Sequence, residues 1–293
     1  MPTKLQIFLW NPKLVNDFPK NGFHQLSLLK QIEEFQRACG KVLAYYKEKC
    51  RSSTSRCLFV APDYLFSRSG VNGADYRETD ADALAFEMGR YCAGLDDDIL
   101  VVAGTVVFQP NNSAPQITLT SETGATTLLR GPDRTIRALI LQKSGLFQYD
   151  KEHPAGQYYL QRKYTDHQLK FNTLKLYVEI CQDHEMSSAN DFRTAAFLND
   201  IHLVLAAGQL PRANRVKTRQ GGCFIQCELE PGKQVDSLVG QKTLTNQVGT
   251  LTAQRHQSGQ IMSTIQDVAP NVVVGAQSAT FDVMRCKHYT VDL

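Results

Sequence analysis

Leu174-Lys175-Leu176-Tyr177-Val178-Glu179-Ile180-Cys181-Gln182-Asp183-His184-Glu185 decides the fold. Leu174 to Ile180 is a short apolar run of the length and composition of a buried strand. It ends at Cys181, and four polar residues follow at once. A thiol therefore stands where a buried strand emerges into polar surroundings. In open α/β sheets, ligands gather outside the carboxyl ends of the strands, so a nucleophile there can reach a substrate. Downstream, Ala189 to Asn199 reads as a helix, Ile201 to Ala207 as a strand, and Gly222 to Glu230 and Val272 to Cys286 as further strand material.

The amino-terminal half repeats this alternation. Lys4 to Trp10 is a first buried strand, and Leu28, Ile32, Phe35, Cys39, Val42 and Tyr46 then recur at steps of three and four, predicting an amphipathic helix over 25–49. Arg56 to Ala61 is a strand, Asp80 to Cys92 a helix, and Asp98 to Phe108 a Val-rich strand. Between the halves, Gln116 to Thr120, Thr126 to Leu129, Thr135 to Gln142 and Leu146 to Tyr149 read as hairpins separated by Gly, Pro, Asn and Ser. Two βα stretches around a hairpin-rich centre, with no Pro/Ser-rich linker, predict one α/β domain over 1–293. Both sheets need cover on two faces.

Composition excludes several classes. The chain has 32 Lys plus Arg against 29 Asp plus Glu, a net charge of +3, which is no basis for a nucleic-acid surface. No apolar run approaches the roughly 18 residues of a membrane span. The first residues enter a strand with no signal-like segment, so a cytoplasmic location is expected. Eight dispersed cysteines read as reduced thiols. Cys223 and Cys227, the one close pair, lack the further ligands a zinc site needs. No Gly-x-Gly-x-x-Gly or phosphate-loop signature occurs, and no cofactor or metal is expected. Pro211 to Gly222, with Arg212, Arg215, Lys217 and Arg219, and the polar stretch Gly232 to Gly259 read as solvated loops.

Two further positions join Cys181. Asp63 follows the apolar Cys57-Leu58-Phe59-Val60-Ala61 and Pro62, at another strand end, where it would otherwise serve a turn or helix cap. Lys151 lies in Tyr149-Asp150-Lys151-Glu152-His153, which on its own reads as a charged surface turn after a hairpin. Carboxylate, ammonium and thiol at three such ends are the parts of a covalent hydrolase. His184, three residues after the thiol, offers a competing Cys-His reading.

Ala61-Pro62-Asp63-Tyr64-Leu65-Phe66, Tyr149-Asp150-Lys151-Glu152-His153 and Glu179-Ile180-Cys181-Gln182-Asp183, in that order, resemble the motifs of the nitrilase, or carbon–nitrogen hydrolase, superfamily. The resemblance extends from Gln6 to about Phe224. It implies a four-layer αββα sandwich, a homodimer or larger homo-oligomer, and no cofactor. It also implies a catalytic set of Asp63, Lys151 and Cys181 acting on a small amide, carbamoyl or nitrile substrate, amide or carbamoyl before nitrile. Gln157, Gln182 and Asp183 become candidate substrate contacts. Two carboxylates depart from the pattern. Asp63 stands where the family has Glu, withdrawing the oxygens by roughly 1 to 1.5 Å, and Gln157 stands where amidase members carry a second Glu. A misplacement of that size costs about a hundredfold in rate, so a binding or regulatory protein with weakened catalysis is the competing expectation.

Overall fold

The computed structural model describes residues 2–12, 22–67, 76–111, 117–120, 126–129, 132–154, 168–181, 183–186, 199–237, 240–257, 260–274 and 284–293. In chain order the elements are β1 (Lys4–Pro12), α1 (Leu28–Tyr45), β2 (Ser55–Val60), β3 (Tyr76–Arg77), α2 (Glu78–Cys92) and β4 (Ile99–Gln109). The centre holds β5 (Ile117–Thr120), β6 (Thr126–Leu129), β7 (Pro132–Gln142) and β8 (Gly145–Pro154). Then come β9 (Gln168–Phe171), β10 (Leu174–Ile180), α3 (Asp183–Met186), β11 (Ile201–Ala206) and β12 (Cys223–Glu228). The chain closes with β13 (Gln234–Ser237), β14 (Gly240–Thr243), β15 (Gln247–Gln257), β16 (Gln260–Asp267), β17 (Val272–Val274) and β18 (Met284–Asp292).

Two sheets organise these strands. One runs β17-β18-β1-β2-β4-β7-β8, with β3 paired to β4, and the other runs β16-β15-β12-β11-β10-β9. Each has a parallel centre, β1-β2-β4 in the first and β10-β11-β12 in the second. Alternation along the strands sorts the core. Leu5, Ile7, Leu58, Val60, Leu100 and Val102 of the first sheet pack with Leu176, Val178, Ile180, Leu203, Leu205 and Ile225 of the second, so the sheets meet face to face. The opposite face of the first sheet, with Phe8, Trp10, Phe59 and Val101, is covered by Ile32, Phe35, Cys39 and Val42 of α1 and Leu84 and Met88 of α2. The Ser27 hydroxyl accepts the Lys30 N–H and starts α1 where the apolar spacing begins. On the outer face of the second sheet, Val204, Ala206, Val216 and Phe224 are buried together. The helix expected over Ala189 to Asn199 falls almost wholly outside the described residues. Helix, sheet and sheet are thus the layers seen in this mixed α/β chain, and no described helix is long and apolar enough to cross a membrane.

Two expectations change. Lys151 does not follow a hairpin in a turn; it lies inside β8, whose ladder with β7 runs on to Pro154. Gly232 to Gly259 is largely strand, β13 to β15; among the described residues β13 and β14 pair only with each other, and β14 is exposed throughout, so little apolar alternation marks them. Val272 to Cys286 is strand material as expected where described, holding β17 and the start of β18.

Candidate active site

The carboxyl ends of the parallel strands in the two sheets meet. The Asn11 side chain at the end of β1 donates to the Glu228 carbonyl at the end of β12. The Cys227 thiol reaches the Val60 carbonyl at the end of β2 at 3.7 Å. Asp63, three residues past Val60, and Cys181, one residue past β10, therefore stand at the same end of the intersheet core.

Cys181 takes a left-handed backbone, φ +44°, which is uncommon for a residue with a side chain and is met at functional turns. Its N–H donates to Leu205 O at 2.6 Å, continuing the parallel ladder, and its carbonyl accepts the His184 N–H at 3.0 Å. The Sγ lies 3.9 Å from Ala207 O. Asp183 accepts the Ile180 N–H at 3.3 Å and the Tyr149 hydroxyl at 3.2 Å, which ties β8 to the thiol-bearing turn. Six of the eight cysteines are buried, while Cys50 and Cys181 are partly exposed. Burial pushes the thiols of Cys57, Cys223, Cys227 and Cys286 well up, and that of Cys39 to about 12, against nucleophilic use. Burial pushes the Cys50 thiol up as well.

Asp63 is wholly buried. Its Oδ1 accepts the Thr105 hydroxyl at 2.6 Å and the Tyr64 N–H at 2.9 Å. Tyr64 has φ +56°, and His24 Nε2 lies 3.0 Å from Tyr64 O and 3.1 Å from Leu65 O, so the turn is held from α1's side as well. Thr105 was invisible to pattern reading for a specific reason. Between Val102 and Thr105 the β4–β7 register shifts by one residue, a bulge, with Gly104 at φ +74°. Val102 and Val107 face the intersheet core and Ala103 and Val106 face the helices. Thr105 shares the face of Val102 only because of the extra residue. A Cβ on Gly104 would lie 2.3 Å from Pro62 O. Gly104→Ala should therefore cost about 2–5 kcal/mol, combining left-handed strain with overpacking, and should displace Asp63. Urea unfolding of the variant reads the first effect, and an unchanged midpoint would refute the assigned role of the bulge.

The charged loop Pro211 to Gly222 holds a further correction. Lys217 is not solvated: it is 1% exposed and donates to Glu179 Oε1 at 2.5 Å and to the Tyr177 hydroxyl at 3.1 Å. Glu179 Oε2 accepts His184 Nδ1–H at 2.8 Å and His202 Nε2–H at 2.9 Å. Burial pushes the Glu179 carboxyl up, but His202, Lys217 and His184 around it outweigh this and hold it well below the usual carboxylate range. Burial drives His202 down to about 4 against the pull of Glu179.

Glu179, His184 and His202 bring ligand atoms within 4.8 Å of one another, as a metal triad would. His202 rules this arrangement out. Its Nδ1 accepts the backbone N–H of Lys217 at 3.0 Å, so the ring proton is on Nε2, which has no lone pair to offer a metal. His184 is likewise committed. Its Nδ1 is on Glu179, its ring stacks on Phe224 with centroids 5.7 Å apart, and among the described residues its buried Nε2 has no hydrogen-bond partner. Among the described residues, neither ring nitrogen of His184 thus bonds the Cys181 thiol.

Of the remaining sequence-derived site residues, the Lys151 backbone lies in β8 opposite Ile136, two residues beyond Tyr149, and its side chain lies outside the described residues. Gln157 and Gln182 lie outside them altogether.

No family model and no curated protein matches the sequence. Among solved structures, the chain is similar to a CN-hydrolase superfamily protein from Xanthomonas campestris, with TM-score 0.44 and 12% identity over 89% of this chain and 90% of that one. It is also similar to an N-terminal amidase, with TM-score 0.30 and 14% identity over 70% of this chain and 47% of that one.

Proposed function

We propose that the chain is a carbon–nitrogen hydrolase of the nitrilase superfamily, a single αββα domain that cleaves small amide or carbamoyl compounds through a thioester on Cys181. One observation carries the reading. A partly exposed thiol on a left-handed turn ends β10, at the same end of the intersheet core where Asp63 is buried and held by Thr105.

The chemistry follows from the three groups. Asp63 takes the Cys181 proton, and the sulfur attacks the substrate carbonyl carbon. The C–S bond forms as the carbonyl electrons move to oxygen. The Cys181 N–H is committed to Leu205 O, so it does not stabilise that oxygen. We assign this task to the Lys151 ammonium, a cation able to stabilise charge on that oxygen. The C–N bond then breaks, the proton on Asp63 leaves with ammonia, and water deprotonated by the same carboxylate hydrolyses the thioester. The Lys151 backbone supports this assignment, because it pairs with Ile136 of the intersheet core and follows Tyr149, which bonds Asp183 beside the thiol.

Ammonia release across a panel of amides, carbamoyl compounds and nitriles tests the proposal. Release is expected from an amide or carbamoyl member. Asp63→Glu should retain or raise the rate, since it restores the longer carboxylate, whereas Asp63→Asn should lose about a thousandfold by removing the base. Silence across the panel, with an inert Cys181, would favour a binding or regulatory role on the same fold.

A further inference from the structure

We propose that Glu179, with His184, His202 and Lys217 gathered on its carboxylate, is a positioning clamp that holds the turn carrying Cys181. The inference rests on the hydrolase reading and adds residues that touch neither substrate nor the reacting atoms.

The clamp brackets the thiol. Glu179 lies two residues before Cys181 in β10 and His184 three residues after it in α3, and the Nδ1–H of His184 on Glu179 Oε2 closes the chain around the turn at 2.8 Å. The same carboxylate reaches His202 of β11 at 2.9 Å and Lys217 at 2.5 Å. The backbone N–H of Lys217 returns to His202 at 3.0 Å. Four chain segments are thereby fixed to one carboxylate by directional bonds.

Stability does not explain this arrangement. The same face of the sheet buries Val204, Ala206, Val216 and Phe224, surroundings that apolar side chains could fill. A buried ion pair in such a setting is often no more stable than well-packed apolar residues of similar volume. What the polar set supplies is direction. Apolar contacts leave a turn free to shift, whereas three hydrogen bonds on two carboxylate oxygens set distance and angle. A residue with φ +44° persists only when its surroundings over-determine it. The local bonds of Cys181 to Leu205 and His184 form part of that constraint, and the clamp fixes His184 itself.

The test uses Glu179→Leu/Lys217→Met, which replaces the pair by apolar groups and removes the buried charges together. Its readout needs no substrate: the rate of Cys181 alkylation by iodoacetamide against pH, followed by peptide mass. In the wild-type protein the midpoint is expected below the roughly 8.5 of a free thiol, because the ammonium assigned to Lys151 in the proposed cycle favours the thiolate. In the folded double variant it should rise towards that value, with alkylation at pH 7 about tenfold slower, because the shifted thiol no longer faces that cation. Should the double variant not fold, His184→Phe serves in its place. It keeps an aromatic ring against Phe224 and loses only the link to Glu179, with the same shift expected. A folded variant with the wild-type profile overturns the clamp alone. A wild-type midpoint at the free-thiol value overturns the hydrolase reading and the clamp with it.

Discussion

Cys181→Ala should lower amide turnover by about 10⁴-fold or more, equivalent to roughly 5.5 kcal/mol of transition-state stabilisation. The reason is chemical rather than structural. The proposed cycle makes and breaks a bond to sulfur, and no other cysteine can substitute. Six are buried, and Cys50, on the turn that follows α1, has its thiol pushed up by burial. Alanine keeps the Cβ and the same conformational demand at φ +44°, so the hydrogen bonds of the turn survive. The loss of a partly exposed thiol should change the melting temperature by only a few degrees. The measurement is ammonia release by the purified variant, paired with intact mass after substrate quenching. The wild-type protein should gain one acyl group, on Cys181, and the variant none. An adduct on Cys92, or full activity in the variant, would reject the assignment.

Much of this geometry is legible in the chain, and the gaps have physical causes. The strands of the two parallel centres announce themselves because both their faces are buried, so runs such as Leu174 to Ile180 are apolar without interruption. The α1 helix is equally plain, since its buried positions recur at three and four. Cys181 and Asp63 stand out in the sequence because each follows the end of such a run. Lys151 was misplaced into a turn, because Asp150, Lys151, Glu152 and His153 form an unbroken polar run with no alternation to mark a strand. Thr105 escapes for the opposite reason. It sits in a continuous apolar strand whose phase is reset by one extra residue at a glycine, and periodicity cannot register a bulge. Lys217 is the sharpest case. It is surrounded in sequence by Arg212, Arg215 and Arg219, and only the partner 38 residues upstream, Glu179, tells it apart from a solvated cation. Pairing between segments distant in the chain is tertiary information, and local pattern does not carry it.

Lys217→Met should destabilise the protein by about 3–5 kcal/mol at neutral pH, because it leaves Glu179 charged, buried and without its ammonium. For a chain of this size that corresponds to a fall in melting temperature of about 10 °C. The pH dependence gives the stronger test. In the wild-type protein, Glu179 titrates well below its unfolded value, so its contribution is present above that value and fades as pH falls through the folded one. His202, held down to about 4, stays neutral while the unfolded chain protonates near 6.5, so between those values stability also falls as acid is added. Removing the ammonium changes how the variant's stability relative to the wild type depends on pH. Burial then dominates at Glu179, and the cluster takes up one proton, on the carboxylate or on an imidazole, at a pH where the wild-type cluster takes none. The folded variant thus binds more protons than the folded wild type in mild acid. The stability gap between them should narrow as pH falls from 7 towards 5. Chemical denaturation of both proteins across that range reads the gap directly. A gap that stays constant or widens would mean that Lys217 does not neutralise Glu179 in the folded chain, while a small gap at neutral pH would place the ammonium in solvent.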